Sequence, residues 1–541
     1  MYFRQKNETL ESAILGSSVQ RNRSDSGPPG EQKRPKSRFV RSLHFTIAKN
    51  ALSNVLRGGA SAVVAIVLPH FLTHWLGPER FAGWALMLQV AAYANYLDFG
   101  LQTAVARYLA GALERQDHQL RDRLLSNAIA ILSVAGLIAL CGLGIVAWQL
   151  PHLFRSVPAE LASEIGSGVM ILGVSAALGL PLTAYTGALV GMQRNEFPAI
   201  AVGVSKLCGA LAVILVARHT YSLTWLALCI GGSNLIGGLA QYLVARKLLP
   251  DMRFSLAFLS REVTFELLRY CSTLSVWTFG MLLVSGLDVT IVGLFRFQAA
   301  GAYSIASTLI MFAAGLNGAA FSAMLAPIAV LQARGQFLRI SRLVMVTTRL
   351  STYLSTGVLL ATLLFGERLV RVWVGGGYLT ITLPVLKILL LAQSVRLVGS
   401  ALGTVLVAMG LQRYGLVPVV VEAISNLFLS IIGMIWIGPT GVAWATLAAA
   451  ALALAITFVS VLPRIPQLVI TAKGLIWEGV LVPMGPFVPL GTWMCLRGFL
   501  DSHVHLPAAG QRILLPLLLT TTILLTAASI RRTILSGRNA G

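Results

Sequence analysis

The sequence predicts an all-α polytopic membrane protein with about fourteen transmembrane helices. These form two six-helix lobes related by a parallel repeat, plus two C-terminal helices. Three observations predict this. The 541 residues are 56% hydrophobic and 11% charged, where a soluble chain carries about a quarter charged residues. More than a dozen stretches reach the ~20 apolar residues that a spanning helix needs. The basic residues also alternate between the connections in a way that assigns them to one side of a bilayer. A water-soluble enzyme is excluded, because there is too little polar surface to cover so large an apolar mass.

Residues 1–46 are polar and rich in Ser, Arg, Lys and Gln, with a Gly-Pro-Pro-Gly break at 27–30. They lack the apolar core of a signal peptide and read as a disordered basic cytoplasmic tail. Apolar spans then fall at 47–74, 82–106, 124–149, 162–190, 197–217 and 222–245, making an N-lobe over 47–245. Residues 246–270 read as a cytoplasmic inter-lobe linker. Spans at 271–294, 298–330, 344–366, 379–409, 415–437 and 440–462 make a C-lobe over 271–463. Two extra spans, 475–496 and 511–530, lie in 464–541 with a cytoplasmic C-terminus.

With an even number of spans both termini share a side. Placing them inside puts 28 of the 42 Lys and Arg residues in inner segments and 7 in outer ones. The net charge of +22 is therefore mostly topological, and nucleic-acid binding is not needed to explain it. Five cysteines are scattered through apolar segments without paired spacing, so neither a metal site nor a disulfide framework is expected.

An internal repeat appears at an offset of 218 residues. Gly83 maps to Gly301, and Leu113, Leu120, Arg121 and Leu125 map to Leu331, Leu338, Arg339 and Leu343. Six spans per copy means both copies enter the membrane in the same direction, which is a parallel repeat. The longest outer connection, 497–510, is too short for an extracellular catalytic domain. That weighs against polysaccharide polymerases and ligases.

The segments LGPERFAGWAL and LDFGLQTAVARYLA, within Leu76–Ala110, resemble the first two spans of the Wzx-like oligosaccharide flippases. These belong to the multidrug/oligosaccharidyl-lipid/polysaccharide exporter superfamily. GLDVTIVGLFRFQAAGAYSIAS, at 286–307, is similar to the entry into span eight of that family. The resemblance implies translocation of an undecaprenyl-pyrophosphate-linked oligosaccharide across the bacterial inner membrane, through a central cavity between the lobes. It places the chain in surface polysaccharide biosynthesis, of the lipopolysaccharide or exopolysaccharide kind.

Ionisable groups inside a bilayer are costly and so mark candidate sites. Arg57 shares a helical stripe with Asn50, Asn54 and Ser61, and Arg396 shares one with Gln393, Ser400 and Thr404. Together with Lys206 these residues could line a cationic cavity, since a guanidinium fork suits phosphate oxygens. The substrate-binding candidates are accordingly Arg57, Arg396, Lys206, Asn54 and Gln393. Asp98, Asp288 and Glu422 are candidates for ion coupling or for pairing those cations. No catalytic residues, metal or bound cofactor are expected, apart from a coupling H+ or Na+.

The expected function is a flippase, not an enzyme, moving a lipid-linked oligosaccharide to the periplasmic leaflet by alternating access. Its expected partners are that substrate, membrane lipids and the polysaccharide polymerase and export machinery, with no nucleic acid. The alternatives are a drug/cation antiporter of the same superfamily, which should show cavity acids without interior cations, and a peptidoglycan-precursor (lipid II) flippase. A membrane-embedded glycan-modifying enzyme is a third, and it would need a His/Asp/Cys constellation.

Overall fold

In the computed structural model the described residues are 36–322, 324–494 and 508–538, with side chains described from 58 onward apart from a few positions, 495–514 and the residues after 535. The chain divides into two compact units, 1–51 and 52–541, and the second holds nearly all of the packed helices. Every regular element among the described residues is helical.

Helix α1 (Lys36–Ala92) is two spans joined by a turn, because Gly77 leaves the helical region (φ 74°) directly before Pro78. Glycine alone takes that φ without strain, and proline restarts a helix well. The second span is interrupted again. A 3₁₀ turn over Tyr93–Asp98 and two left-handed residues, Phe99 and Gly100, precede α2 (Leu101–Glu114). Then come α3 (His118–Leu153), capped by the Asp117 carboxylate on the Leu120 N–H at 2.9 Å, α4 (Ala159–Gly191), α5 (Glu196–His219) and α6 (Leu223–Leu248).

The second half repeats this order. Helix α7 (Arg261–Met281) loosens into a π turn at Leu282–Gly286 before α8 (Asp288–Phe295). Helices α9 (Phe297–Ser322), α10 (Leu325–Ala333), α11 (Phe337–Val374), α12 (Leu379–Ala408), α13 (Leu416–Trp436) and α14 (Pro439–Ile456) complete the C-lobe. In the N-lobe α3 packs on α4, α4 on α6 and α5 on α6; in the C-lobe α11 packs on α12, α12 on α14 and α13 on α14. That shared pattern is the parallel repeat. Two further spans, Ala472–Met494 and Leu515–Leu535, pack against α11.

Eleven described helices are long and apolar enough to cross a membrane, or twelve with the bent α7 counted as one. That number is consistent with fourteen if α1 is divided at Gly77 and the 38-residue α11, which is not among those helices, is also a span.

The turns at Gly77, 154–158, 220–222, Arg296, Gly375 and Gly438 lie at one end, the arginine-poor end. There the lobes share one buried cluster, with Leu72, Phe81 and Leu86 of the N-lobe among Phe297, Tyr303 and Tyr378 of the C-lobe. Gly301 sits so close to α1 that a Cβ would meet Phe81 at 3.0 Å and the Ala82 backbone at 3.3 Å. At the arginine-rich end the clusters separate, one around Leu109, Leu125 and Leu267, the other around Ile340, Leu402 and Ile465.

Residues 249–264, within the segment that reads as a linker, are bound to the N-lobe. The Asn127 side chain donates to the Phe258 carbonyl at 3.0 Å and accepts from the Ser260 N–H at 3.0 Å and the Thr264 hydroxyl at 2.7 Å. The buried Arg121 pairs with Asp122 at 2.8 Å and donates to the Asp251 carbonyl at 2.9 Å.

Candidate functional site

Two polar centres lie inside the apolar body. The first is a cavity of about 750 Å³ among α1, α4, α5 and α6, with α9 contributing Ser304 and Thr308. Its described walls carry hydroxyls and amides, including Gln102, Thr183, Asn234 and Gln241, and Lys206 is the one charged residue among them. Lys206 Nζ donates to Ser61 Oγ at 2.9 Å. The amides are themselves held, as Thr186 donates to Gln241 Oε1 at 2.5 Å and Gln241 donates to the Gly237 carbonyl at 3.1 Å. A wall of neutral donors and acceptors around one cation suits a hydroxyl-rich solute carrying negative charge.

Arg57 and Asn54 precede Ser61 on the same helix, but their side chains lie outside the described residues. Asp98 sits at the interruption before α2, behind the wall formed by Asn95, Gln102 and Thr183. Its carboxyl faces the Gln102 N–H and the Thr183 hydroxyl, and Oδ1 is buried without a hydrogen-bond partner.

The second centre is in the C-lobe and holds Arg396, which does not line the cavity. Arg396 Nε donates to Glu422 Oε1 at 2.6 Å, with side chains 19% and 15% exposed. Asp288, 4% exposed, accepts from the Tyr303 hydroxyl at 3.2 Å and the Thr446 hydroxyl at 3.5 Å, while its Oδ1 has no partner. Arg396 is near enough to act on it electrostatically. Gln393, one turn before Arg396, is half-buried. In this conformation, therefore, Lys206 and Arg396 occupy different centres, and Arg396 stands with the two carboxylates.

The centres meet at the interruption between α7 and α8. A π turn frees backbone carbonyls, and in an apolar setting each must find a donor. The Gly286 carbonyl accepts from Gln89 Nε2 at 2.6 Å and from the Tyr93 hydroxyl at 3.1 Å, both in the N-lobe. The Tyr93 hydroxyl also bonds Thr290. On the other side, Asn426 Nδ2 donates to the carbonyls of Leu283 at 3.2 Å and Val284 at 2.8 Å. Neither Gln89 nor Tyr93 is among the sequence candidates. The signal for both is their spacing of four, which puts two hydrogen-bonding side chains on one stripe of span two.

Toward the arginine-poor end a second inter-lobe contact closes over the cavity. The indole N–H of Trp373 donates to the Ile66 carbonyl at 2.8 Å, and the His70 ring Nδ1 donates to the Trp373 carbonyl at 2.5 Å. Glu478, in the first extra span, pairs with Arg349 of α11 at 2.8 Å. No group of three or more His, Cys, Asp or Glu among the described residues could hold a metal ion.

The family described as polysaccharide biosynthesis proteins matches residues 47–330. A protein of Shigella flexneri described as an O-antigen transporter is 30% identical over 88 residues, which cover 16% of this chain and 21% of that relative's length. The fold resembles the lipid II flippase MurJ in an inward closed conformation, with TM-score 0.67 and 12% identity over 90% of this chain and 99% of that one. It also resembles an inward-facing multidrug resistance transporter of the MATE family and MOP superfamily, with TM-score 0.60 and 14% identity over 76% of this chain and 98% of that one.

Proposed function

This chain belongs to the polysaccharide biosynthesis protein family, and from that premise we propose that it is a flippase for a polyprenyl-pyrophosphate-linked oligosaccharide. It moves the headgroup from the cytoplasmic to the periplasmic leaflet of a bacterial inner membrane, with the arginine-rich end and both termini cytoplasmic. One observation carries the reading: the N-lobe cavity presents hydroxyls and amides around Lys206 and no carboxylate among its described lining residues. The sugar takes the neutral wall, the pyrophosphate takes Lys206 together with Arg57, and the polyprenyl tail stays in lipid. A drug/cation antiporter needs acids facing its cavity, and the described lining residues include none.

The shared core and the Trp373 and His70 contacts close the arginine-poor end. The state is therefore one that loads from the cytoplasm, and transport consists of breaking those contacts while the arginine-rich ends come together. An anion leaving an inside-negative cell moves downhill by about 2.3 kcal/mol per charge per 100 mV. Asp288, with Asn426 beside it, takes the coupling H+ or Na+. Support comes from its buried, unpartnered Oδ1 next to the α7–α8 interruption.

The test is complementation of a strain lacking its own copy, read as surface polysaccharide at matched protein level. Lys206→Ala and the double variant with Arg57→Ala should lose most of the polymer, and Lys206→Arg should keep it. Full polymer from the double variant overturns the reading.

A further inference from the structure

The two lobes end differently at the arginine-rich face. In both, the fourth helix of the repeat closes on a left-handed residue, Gln193 (φ 59°) after α4 and Gly410 (φ 73°) after α12. In both, the next N–H reaches back five residues, Arg194 to the Leu189 carbonyl at 2.9 Å and Leu411 to the Leu406 carbonyl at 2.7 Å. Counting onward from that shared turn, Glu196 of the N-lobe corresponds to Arg413 of the C-lobe, and Phe197 corresponds to Tyr414. The N-lobe turn is neutralised internally, with Arg194 and Glu196 at 3.5 Å. At the equivalent place the C-lobe has reversed the charge.

The reversal extends over the whole face. The N-lobe segments 107–123, 191–196 and 246–270 hold 10 Lys or Arg and 7 Asp or Glu. The C-lobe segments 331–343, 410–414 and 463–474 hold 6 Lys or Arg and no acid. At the centre of these, two guanidinium groups from different loops sit on one phenol ring. Arg413 Cζ is 5.1 Å and Arg464 Cζ 5.4 Å from the Tyr414 ring centroid. Both arginines are exposed, and neither has a carboxylate within salt-bridge reach among the described residues. Arg413 Nη2 also donates to the Tyr414 hydroxyl at 3.3 Å; a guanidinium stacked on an aromatic face still presents its remaining in-plane N–H groups, which match phosphate oxygens. Two like charges held together without an acid call for an anion from outside the chain.

We propose that Arg413, Tyr414 and Arg464 form a binding site for a lipid-borne phosphate at the arginine-rich face of the C-lobe. The site rests on the membrane reading alone and not on the identity of the transported saccharide. Its occupant is either an anionic phospholipid of that leaflet or a polyprenyl pyrophosphate on its way to the cavity; the chemistry recognised is the same.

The experiment reconstitutes the full chain in phosphatidylcholine vesicles and measures the electron spin resonance of spin-labelled phosphatidylglycerol against spin-labelled phosphatidylcholine. The wild type should retain phosphatidylglycerol selectively. Each of Arg413→Gln and Arg464→Gln should reduce that selectivity about fivefold, and Tyr414→Leu should reduce it by freeing both guanidinium groups. Arg194→Gln, in the neutralised N-lobe turn, should leave it unchanged. Displacement of the label by undecaprenyl pyrophosphate at equimolar dose supports the site and names the polyprenyl source. Persistence of the label supports the site and names the phospholipid. Equal selectivity in the wild type and in Arg413→Gln/Arg464→Gln overturns the proposal. Because both positions are exposed, melting temperatures in detergent should match the wild type, which separates lost binding from lost folding.

Discussion

The Trp373 indole N–H donates to the Ile66 carbonyl at 2.8 Å, so a side chain at the end of α11 is fastened to the backbone of α1 in the other lobe. A neutral hydrogen bond of this kind contributes about 1 kcal/mol, or roughly fivefold in a two-state equilibrium. Trp373→Phe keeps the ring and removes the donor. We expect the closed arginine-poor end to open about fivefold more often. The measurement is labelling of Ser304→Cys, in a cysteine-free background, by an impermeant thiol reagent added from that side. Labelling no faster than in the Trp373 background would show that the bond does not hold the closed state.

Wedging the lobes apart should act in the same direction by a different route. At Gly301 a Cβ would lie 3.3 Å from the Ala82 backbone, which cannot move like a side chain. Gly301→Val should therefore raise labelling at the same cysteine. Gly357→Ala meets nothing within 4 Å and should leave it unchanged.

The Arg396–Glu422 pair is mostly buried, so losing one partner strands the other charge. Glu422→Leu alone should destabilise the protein by about 3–5 kcal/mol, while Arg396→Met/Glu422→Leu recovers most of the loss. Melting in detergent reads both. If the double variant melts as early as the single one, the pair is not what holds this part of the C-lobe.

Asp288→Asn keeps the shape of the side chain and its contacts with Tyr303 and Thr446 but removes the carboxylate. Transport in sealed vesicles should then stop responding to an imposed H+ or Na+ gradient while still following the membrane potential. An unchanged response to both gradients would rule out Asp288 as the coupling group.

Gly433 and Gly441 bring α13 and α14 into backbone contact, where a Cβ on Gly441 would fall 2.0 Å from the Gly433 carbonyl oxygen. Overpacking typically costs about 1–3 kcal/mol. Gly441→Ala should cost at least the upper end of that range, because the obstacle is backbone, and should show as a lower melting temperature and poor membrane insertion.

Apolar stretches and the sorting of arginines are enough to read the spans, their alternation and the repeat, because a bilayer acts on each ~20-residue segment locally. The interruptions at Tyr93–Asp98 and Leu282–Gly286 are not legible in the same way. The second persists because Gln89, Tyr93 and Asn426 supply donors to its carbonyls from other parts of the chain, and no local pattern encodes that. Arg396 and Glu422 are both visible as costly intramembrane charges, but a stripe fixes only a helix face. Which helix that face meets is a property of packing, so their pairing had to be observed. The cavity is expected between the lobes, and its described walls are mostly N-lobe, because the lobes are pressed together at the arginine-poor end and leave the space inside one of them.

The attachment of residues 249–264 to Asn127 bears on how the protein is made. The buried cluster of the N-lobe includes Val263, Leu267 and Cys271, all from α7. A ribosome that has delivered only the first six spans has therefore not delivered a complete N-lobe core. During synthesis the first half settles only once the opening turns of the seventh span have emerged. A cut designed to yield two halves that assemble belongs near residue 272, inside a span, and not in the polar stretch before it.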